Sequence, residues 1–158
     1  MTNDDQLHLA RAARLSRERM EANLGGPFGA VIVRDGKVLA EGWNEVTSSN
    51  DPTAHAEVVA IRRACAAVGD FSLAGATLYT SCEPCPMCLA SAYWARISRI
   101  VYANTRDDAA AIGFDDAFIY DEMPKAPGER AIRMEHVPSP DAAAAFAAWM
   151  AKADKIAY

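Results

Sequence analysis

The chain has 158 residues, 51% of them hydrophobic and 23% charged, enough for one proper core and too few for two comfortable domains. Its formal charge of −5, with arginines scattered as Arg62–Arg63, Arg96, Arg99 and Arg106, argues against a phosphate backbone as the main partner, so no nucleic acid is expected. No run approaches the roughly 20 apolar residues of a membrane span, and the opening MTNDDQLHLARAARLSRERM lacks a signal-like apolar stretch, so no membrane partner is expected and the cytoplasm is the expected compartment.

Residues 4–24 carry Leu9, Ala13, Ser16, Met20 and Leu24 on one helical face, and Gly25-Gly26-Pro27 ends that helix. FGAVIV (28–33) and KVLAEGW (37–43) are β-rich runs joined through Asp35-Gly36, a hairpin signal. A helix is expected next, capped by Asp51 or Thr53 with Pro52 in its first turn, and closed by Gly69. TLYTS (77–81) is a short strand leading into CEPCPMCLASAYWARI, which reads as a helix whose prolines are confined to the first turn. RIVYAN (99–104) is a fourth strand, 107–130 is irregular or helical, and AIRMEHV (131–137) is a fifth strand. Ser139-Pro140-Asp141 opens an alanine-rich helix expected to run almost to Tyr158. No internal repeat or linker interrupts the chain, so one domain over 1–158 is expected. Helices alternating with strands after a hairpin imply a layered α/β domain with a mixed sheet.

Three of the four cysteines fall within SCEPCPMC (81–88). In a reducing compartment such a cluster points to metal or redox chemistry more than to disulfides. Cys85 and Cys88, three apart at a helix start, present both sulfurs on one side, and the positive end of the helix favours thiolate. His55 opens the other helix, and imidazole with thiolates suits zinc. All three cysteines with His55 would make a closed structural site. Cys82, at the strand end before Glu83-Pro84, need not share the direction of the other two. The favoured set is therefore His55, Cys85 and Cys88 with a fourth position for water. Glu57, two residues past His55, decides the matter: a carboxylate beside a zinc-bound water is a natural proton shuttle, and a structural site has no use for one. Cys65 reads as packing, while His8 and His136 lack the company of other ligands.

His55-Ala56-Glu57 with Pro84-Cys85-Pro86-Met87-Cys88 resembles the H-x-E…P-C-x-x-C signature of zinc-dependent cytidine and nucleobase deaminases. GGPFGAVIV, NDPTAHAEVVAIR, YTSCEPCPMC, GFDDAFIY and Tyr158 together look like the small, cytidine deaminase-like guanine deaminases of bacteria. That resemblance implies a three-layer α/β/α sandwich with a mixed five-stranded sheet. It also implies one zinc per subunit, guanine as substrate with xanthine and ammonia as products, and a homodimer whose segment 138–158 is swapped between subunits. By the same resemblance Asn44, Ala56 and Asp116 lie at the substrate and Phe28 and Trp94 line the pocket. Tyr158 would come from the partner subunit, and Asp141 has no clear counterpart. The rival readings are a tRNA adenosine deaminase, a deaminase of cytosine or another amino-heterocycle, and a purely structural zinc module.

Overall fold

The computed structural model describes residues 2–158, which form two compact units, one running to Asp116 and one from Ala117 to Tyr158. The first unit holds the sheet. Helix α1 (Asn3–Glu21) starts at a capping box, in which Thr2 Oγ1 accepts from the Asp5 N–H while the Asp5 carboxylate accepts from the Thr2 N–H. Strands β1 (Gly29–Arg34) and β2 (Lys37–Trp43) pair antiparallel through a two-residue turn. Asp35 and Gly36 both have positive φ there, as a tight hairpin of this hand requires. A short helix α2 (Val46–Ser49) precedes α3 (Ala56–Val68); β3 (Thr77–Cys82), α4 (Pro86–Trp94), β4 (Arg99–Asn104) and α5 (Arg106–Ala111) complete the unit.

The sheet order is β2-β1-β3-β4, with β1 antiparallel to both neighbours and β3 parallel to β4. Central strand β1 is buried along nearly its whole length, because helices cover both faces. On one face, Ala12 and Leu15 of α1 pack with Val31, Val33 and Tyr79. On the other, Ala56, Ala60, Ile61 and Ala64 of α3 and Ala92 of α4 pack with Ala30, Ile32 and Leu78. The layering is the expected α/β/α, and the sheet is mixed.

Among the described residues it has four strands, not five. Residues 131–137 carry no strand, and Ile132, Met134 and Val137 are exposed. Alternation shows which side chains could share a face; a strand also needs a ladder partner for its N–H and C=O groups. The second unit contains α6 (Ala117–Glu122), a 3-10 turn (Pro127–Glu129) and α7 (Pro140–Ala151), and no strand. Helix α7 begins as expected, with Ser139 Oγ accepting from the Ala142 N–H, but stops at Ala151, well short of Tyr158.

The expected cap of the helix after residue 50 also shifts. Asp51 accepts from both the backbone N–H (2.8 Å) and the hydroxyl (2.7 Å) of Thr53. This is a local turn in place of a helix cap. Helix α3 starts later, and His55 is its N-cap.

Candidate active site

Two helices begin on the same face of the sheet, each with a potential ligand at its N-cap. His55 caps α3 and Cys85 caps α4; both have extended backbone, and neither side chain caps its own helix, so each is free to point outward. Pro86 takes the first helical position of α4, where a missing N–H is harmless, and Cys88 follows in the same turn. His55 Nδ1 lies 3.6 Å from Cys85 Sγ and 3.6 Å from Cys88 Sγ, and the three donor atoms all lie within 4.8 Å of one another. A tetrahedral zinc with Zn–S of roughly 2.3 Å and Zn–N of roughly 2.0–2.1 Å separates nitrogen from sulfur by about 3.6 Å, so the donor set fits that ion. Cys82 is not in the group. Its thiol donates to the Thr105 carbonyl at 3.5 Å, and burial pushes it up to about 11. The closed Cys3His arrangement is thereby set aside.

The electrostatics of the metal-free cluster single out Cys85 as its thiolate. The hydrogen bond from the Cys88 thiol, followed by that to His55, brings Cys85 down to about 4 against the opposing effect of burial, a thiolate at neutral pH. Cys88 holds its own proton more tightly than a free thiol, first through the bond to Cys85 and then through burial and the nearby Glu57. Hydrogen bonding to Cys85 raises His55.

Glu57 occupies the first turn of α3, is only 5% exposed, and sits beside the cluster without belonging to it. Its Oε2 lies 3.4 Å from Cys88 Sγ, and its Oε1 accepts from Thr80 Oγ1 at 3.1 Å. Burial raises its pKa, so the carboxyl can both take and hold a proton. Thr80 was not singled out from the sequence. Its signal is there: a hydroxyl on the same face as Leu78, two residues before the cysteine run.

Asn44 follows β2 and is buried. Its Oδ1 accepts from the Gly26 and Val46 N–H groups, both at 3.2 Å, and its own N–H donates to the Phe28 carbonyl at 3.1 Å. Two backbone donors fix the amide orientation, because only the oxygen can accept them, and the NH2 is left to donate outward. Ala56 is fully buried between His55 and Glu57. Phe28 packs against the core, and Asp116 is half-buried with its pKa raised, first by burial and then by the charge on Cys85. Trp94 ends α4 and is 63% exposed; nine residues of helix set its backbone about 13 Å along the axis from Cys85. Tyr158 belongs to the second unit and is exposed.

Residues 2–104 match the family model of the cytidine and deoxycytidylate deaminase zinc-binding region. The chain belongs to this deaminase family. Among its relatives, guanine deaminase of Bacillus subtilis is 53% identical over 150 residues, 95% of this chain and 96% of that one. The X-ray structure of the Bacillus subtilis guanine deaminase superposes with a TM-score of 0.95 at 51% identity, covering 100% of this chain and 99% of that one. A tRNA-specific adenosine deaminase of Agrobacterium fabrum is 49% identical over 100 residues, 63% of either chain. The deaminase family binds zinc, and the His55–Cys85–Cys88 group is where this member can hold it.

Proposed function

We propose that the protein is a guanine deaminase, hydrolysing guanine to xanthine and ammonia. The observation that carries the reading is the buried Glu57 beside a zinc-compatible His55–Cys85–Cys88 group, in a chain similar end to end to a guanine deaminase. Zinc held by these three residues supplies Lewis acidity that makes a water nucleophilic near neutral pH. Glu57 takes the proton as the water oxygen attacks guanine C2, passes it to the adjacent ring nitrogen, and assists protonation of the departing amine. Thr80 holds Oε1 of Glu57, and Oε2, on the side of Cys88 and the ligand group, is the oxygen that carries the proton. Asn44 donates to an acceptor on the purine edge, and Asp116 accepts from a purine N–H. Contacts of this kind discriminate strongly, because an analogue lacking the matching group leaves a polar atom unpaired.

Ala56 and Phe28 contribute walls of the pocket in this reading, with Trp94. We further assign the enzyme one zinc per subunit, a single catalytic domain spanning 1–158, and a homodimeric state. In that dimer segment 138–158 exchanges between subunits and Tyr158 reaches the partner's site. Its compartment is the cytoplasm. Among the described residues no helix is long and apolar enough to cross a membrane. The family likeness to tRNA adenosine deaminases covers less of the chain, and the net charge of −5 disfavours a polyanionic substrate.

The test is the conversion of guanine to xanthine, followed by absorbance, with zinc-loaded wild type and Glu57→Gln. The wild type should turn over while the variant retains zinc and loses turnover. A zinc-loaded wild type that leaves guanine untouched would overturn the assignment.

A further inference from the structure

Helix α5 does not lead straight into Asp116. It stops at a left-handed glycine, Gly113, with φ +94. There the Gly113 N–H donates to the Ala110 carbonyl at 3.0 Å and the Phe114 N–H to the Ala109 carbonyl at 3.0 Å. This exit carries the Phe114 ring onto Phe28, edge to face, with centroids 4.9 Å apart and an interplanar angle of 89°. The seat is close-fitting: a Cβ on Gly26 would lie 3.3 Å from Phe114 Cζ and 3.5 Å from Phe28 Cδ2. The two rings therefore rest on bare backbone.

The seat is also the support of Asn44. The Gly26 N–H donates to Asn44 Oδ1, and the Phe28 carbonyl accepts from the Asn44 N–H. Phe28 itself is held by the core. Phe114 is nonetheless 46% exposed, so burial of its own surface is a weak reason for an aromatic ring here. Asp116 follows two residues later, within about 7 Å of chain.

We infer that Phe114 is a positioning residue for substrate recognition: docked on Phe28 over Gly26, the backbone that already anchors Asn44, it fixes the 113–116 segment so that Asp116 is presented to the purine. This inference rests on the reading of Asp116 as a substrate contact. The hydrogen-bond contacts of Glu57 are to Thr80 and Cys88 and not to Phe114 or its seat, so loss of Phe114 should weaken binding without altering the chemical step. That pattern appears as a higher KM at nearly constant kcat.

The experiment is steady-state guanine kinetics on zinc-loaded wild type, Phe114→Ala, Phe114→Tyr, Asp116→Asn and the double variant Phe114→Ala/Asp116→Asn, with zinc content and thermal unfolding recorded for each. Loss of one charge-assisted contact corresponds to roughly a tenfold rise in KM. Phe114→Ala should show a rise of that order with zinc content and unfolding temperature unchanged, Phe114→Tyr should restore the wild-type KM, and Phe114→Ala should add almost nothing once Asp116 is already Asn. A normal KM in Phe114→Ala, or an equal tenfold effect with and without Asp116, would overturn the inference alone. A normal KM in Asp116→Asn would instead remove Asp116 from the substrate site, and the inference with it. Should Phe114→Ala lose zinc or melt early, Phe114→Leu in the same cycle decides between the two outcomes, because it keeps an apolar contact without the aromatic edge.

Discussion

Gly42 is the point at which the sheet sets the position of helix α3, which carries Glu57. It lies in β2 opposite Ala30, and a Cβ added to it would lie 2.3 Å from the Ala56 carbonyl oxygen, 2.6 Å from the Ala60 nitrogen and 3.0 Å from Ala60 Cα. Ordinary contact begins near 3.4 Å, so Gly42→Ala forces strand and helix apart by about 1 Å. All three colliding atoms are backbone or Cα atoms, and no side chain can swing aside. Ala56 stands between His55 and Glu57, so both shift with it relative to Cys85 and Cys88. Overpacking of this size costs about 1–3 kcal/mol, or a fall in Tm of roughly 3–10 °C for a chain of this length. A displacement near 1 Å at a catalytic group can lower turnover by about 100-fold. Gly42→Ala should therefore be folded at 25 °C, less stable, and much slower in ammonia release. Gly128→Ala, where an added Cβ meets nothing within 4 Å, should behave as wild type. Wild-type Tm and turnover in Gly42→Ala would refute the claim that close approach of β2 and α3 sets the site.

Other outcomes follow from the same geometry. Glu57→Gln keeps the side-chain size and an acceptor for Thr80, so zinc measured per chain should be unchanged while kcat falls by about 10²–10⁴-fold. Cys82→Ser should keep both zinc and turnover, since that thiol donates to the Thr105 carbonyl and lies outside the ligand group; loss of zinc would restore a fourth protein ligand. Asp5 is buried and accepts from Arg99 (2.6 and 3.0 Å), Tyr79 (2.9 Å) and the Thr2 N–H (2.9 Å). The hydrogen bond from Arg99 comes first among the causes that hold its pKa below the usual 3.8. A carboxylate lowered in the folded state contributes stability that is complete above its unfolded pKa and drains away as pH falls through the folded value. Urea midpoints should accordingly drop more steeply below about pH 4 in wild type than in Asp5→Asn; parallel curves would show that the Asp5 cluster does not couple folding to acid.

The ligand cluster was legible in the sequence because each half is local. His55 and Glu57 lie within one helix start and Cys85 and Cys88 within another, and spacing alone fixes what each start can present. What joins the halves is the sheet, and the order of strands and helices was enough to expect that. Contacts between distant segments were less visible. Thr80 matters through a bond to a residue 23 positions away, and Asn44 through a glycine turn 18 positions back. The expected strand at 131–137 shows the opposite limit: Ile132, Met134 and Val137 suit a strand, but pairing is a property of two segments, and its own unit offers no partner. The misplaced helix cap has a similar origin, since Asp51 can serve a turn or a helix equally well until the chain beyond it is known.

Substrate choice tests the account most directly. Ammonia release by the zinc-loaded protein should be measured in parallel with guanine, guanosine, adenine, cytosine and a tRNA adenosine substrate. The account predicts a kcat/KM for guanine larger than for any of the others by at least about 100-fold, well within the roughly 10⁴–10⁵-fold that unpaired buried polar groups can impose. Turnover of the tRNA substrate alone would contradict it, leaving the zinc site and Glu57 in place but the reading of Asn44 and Asp116 without support.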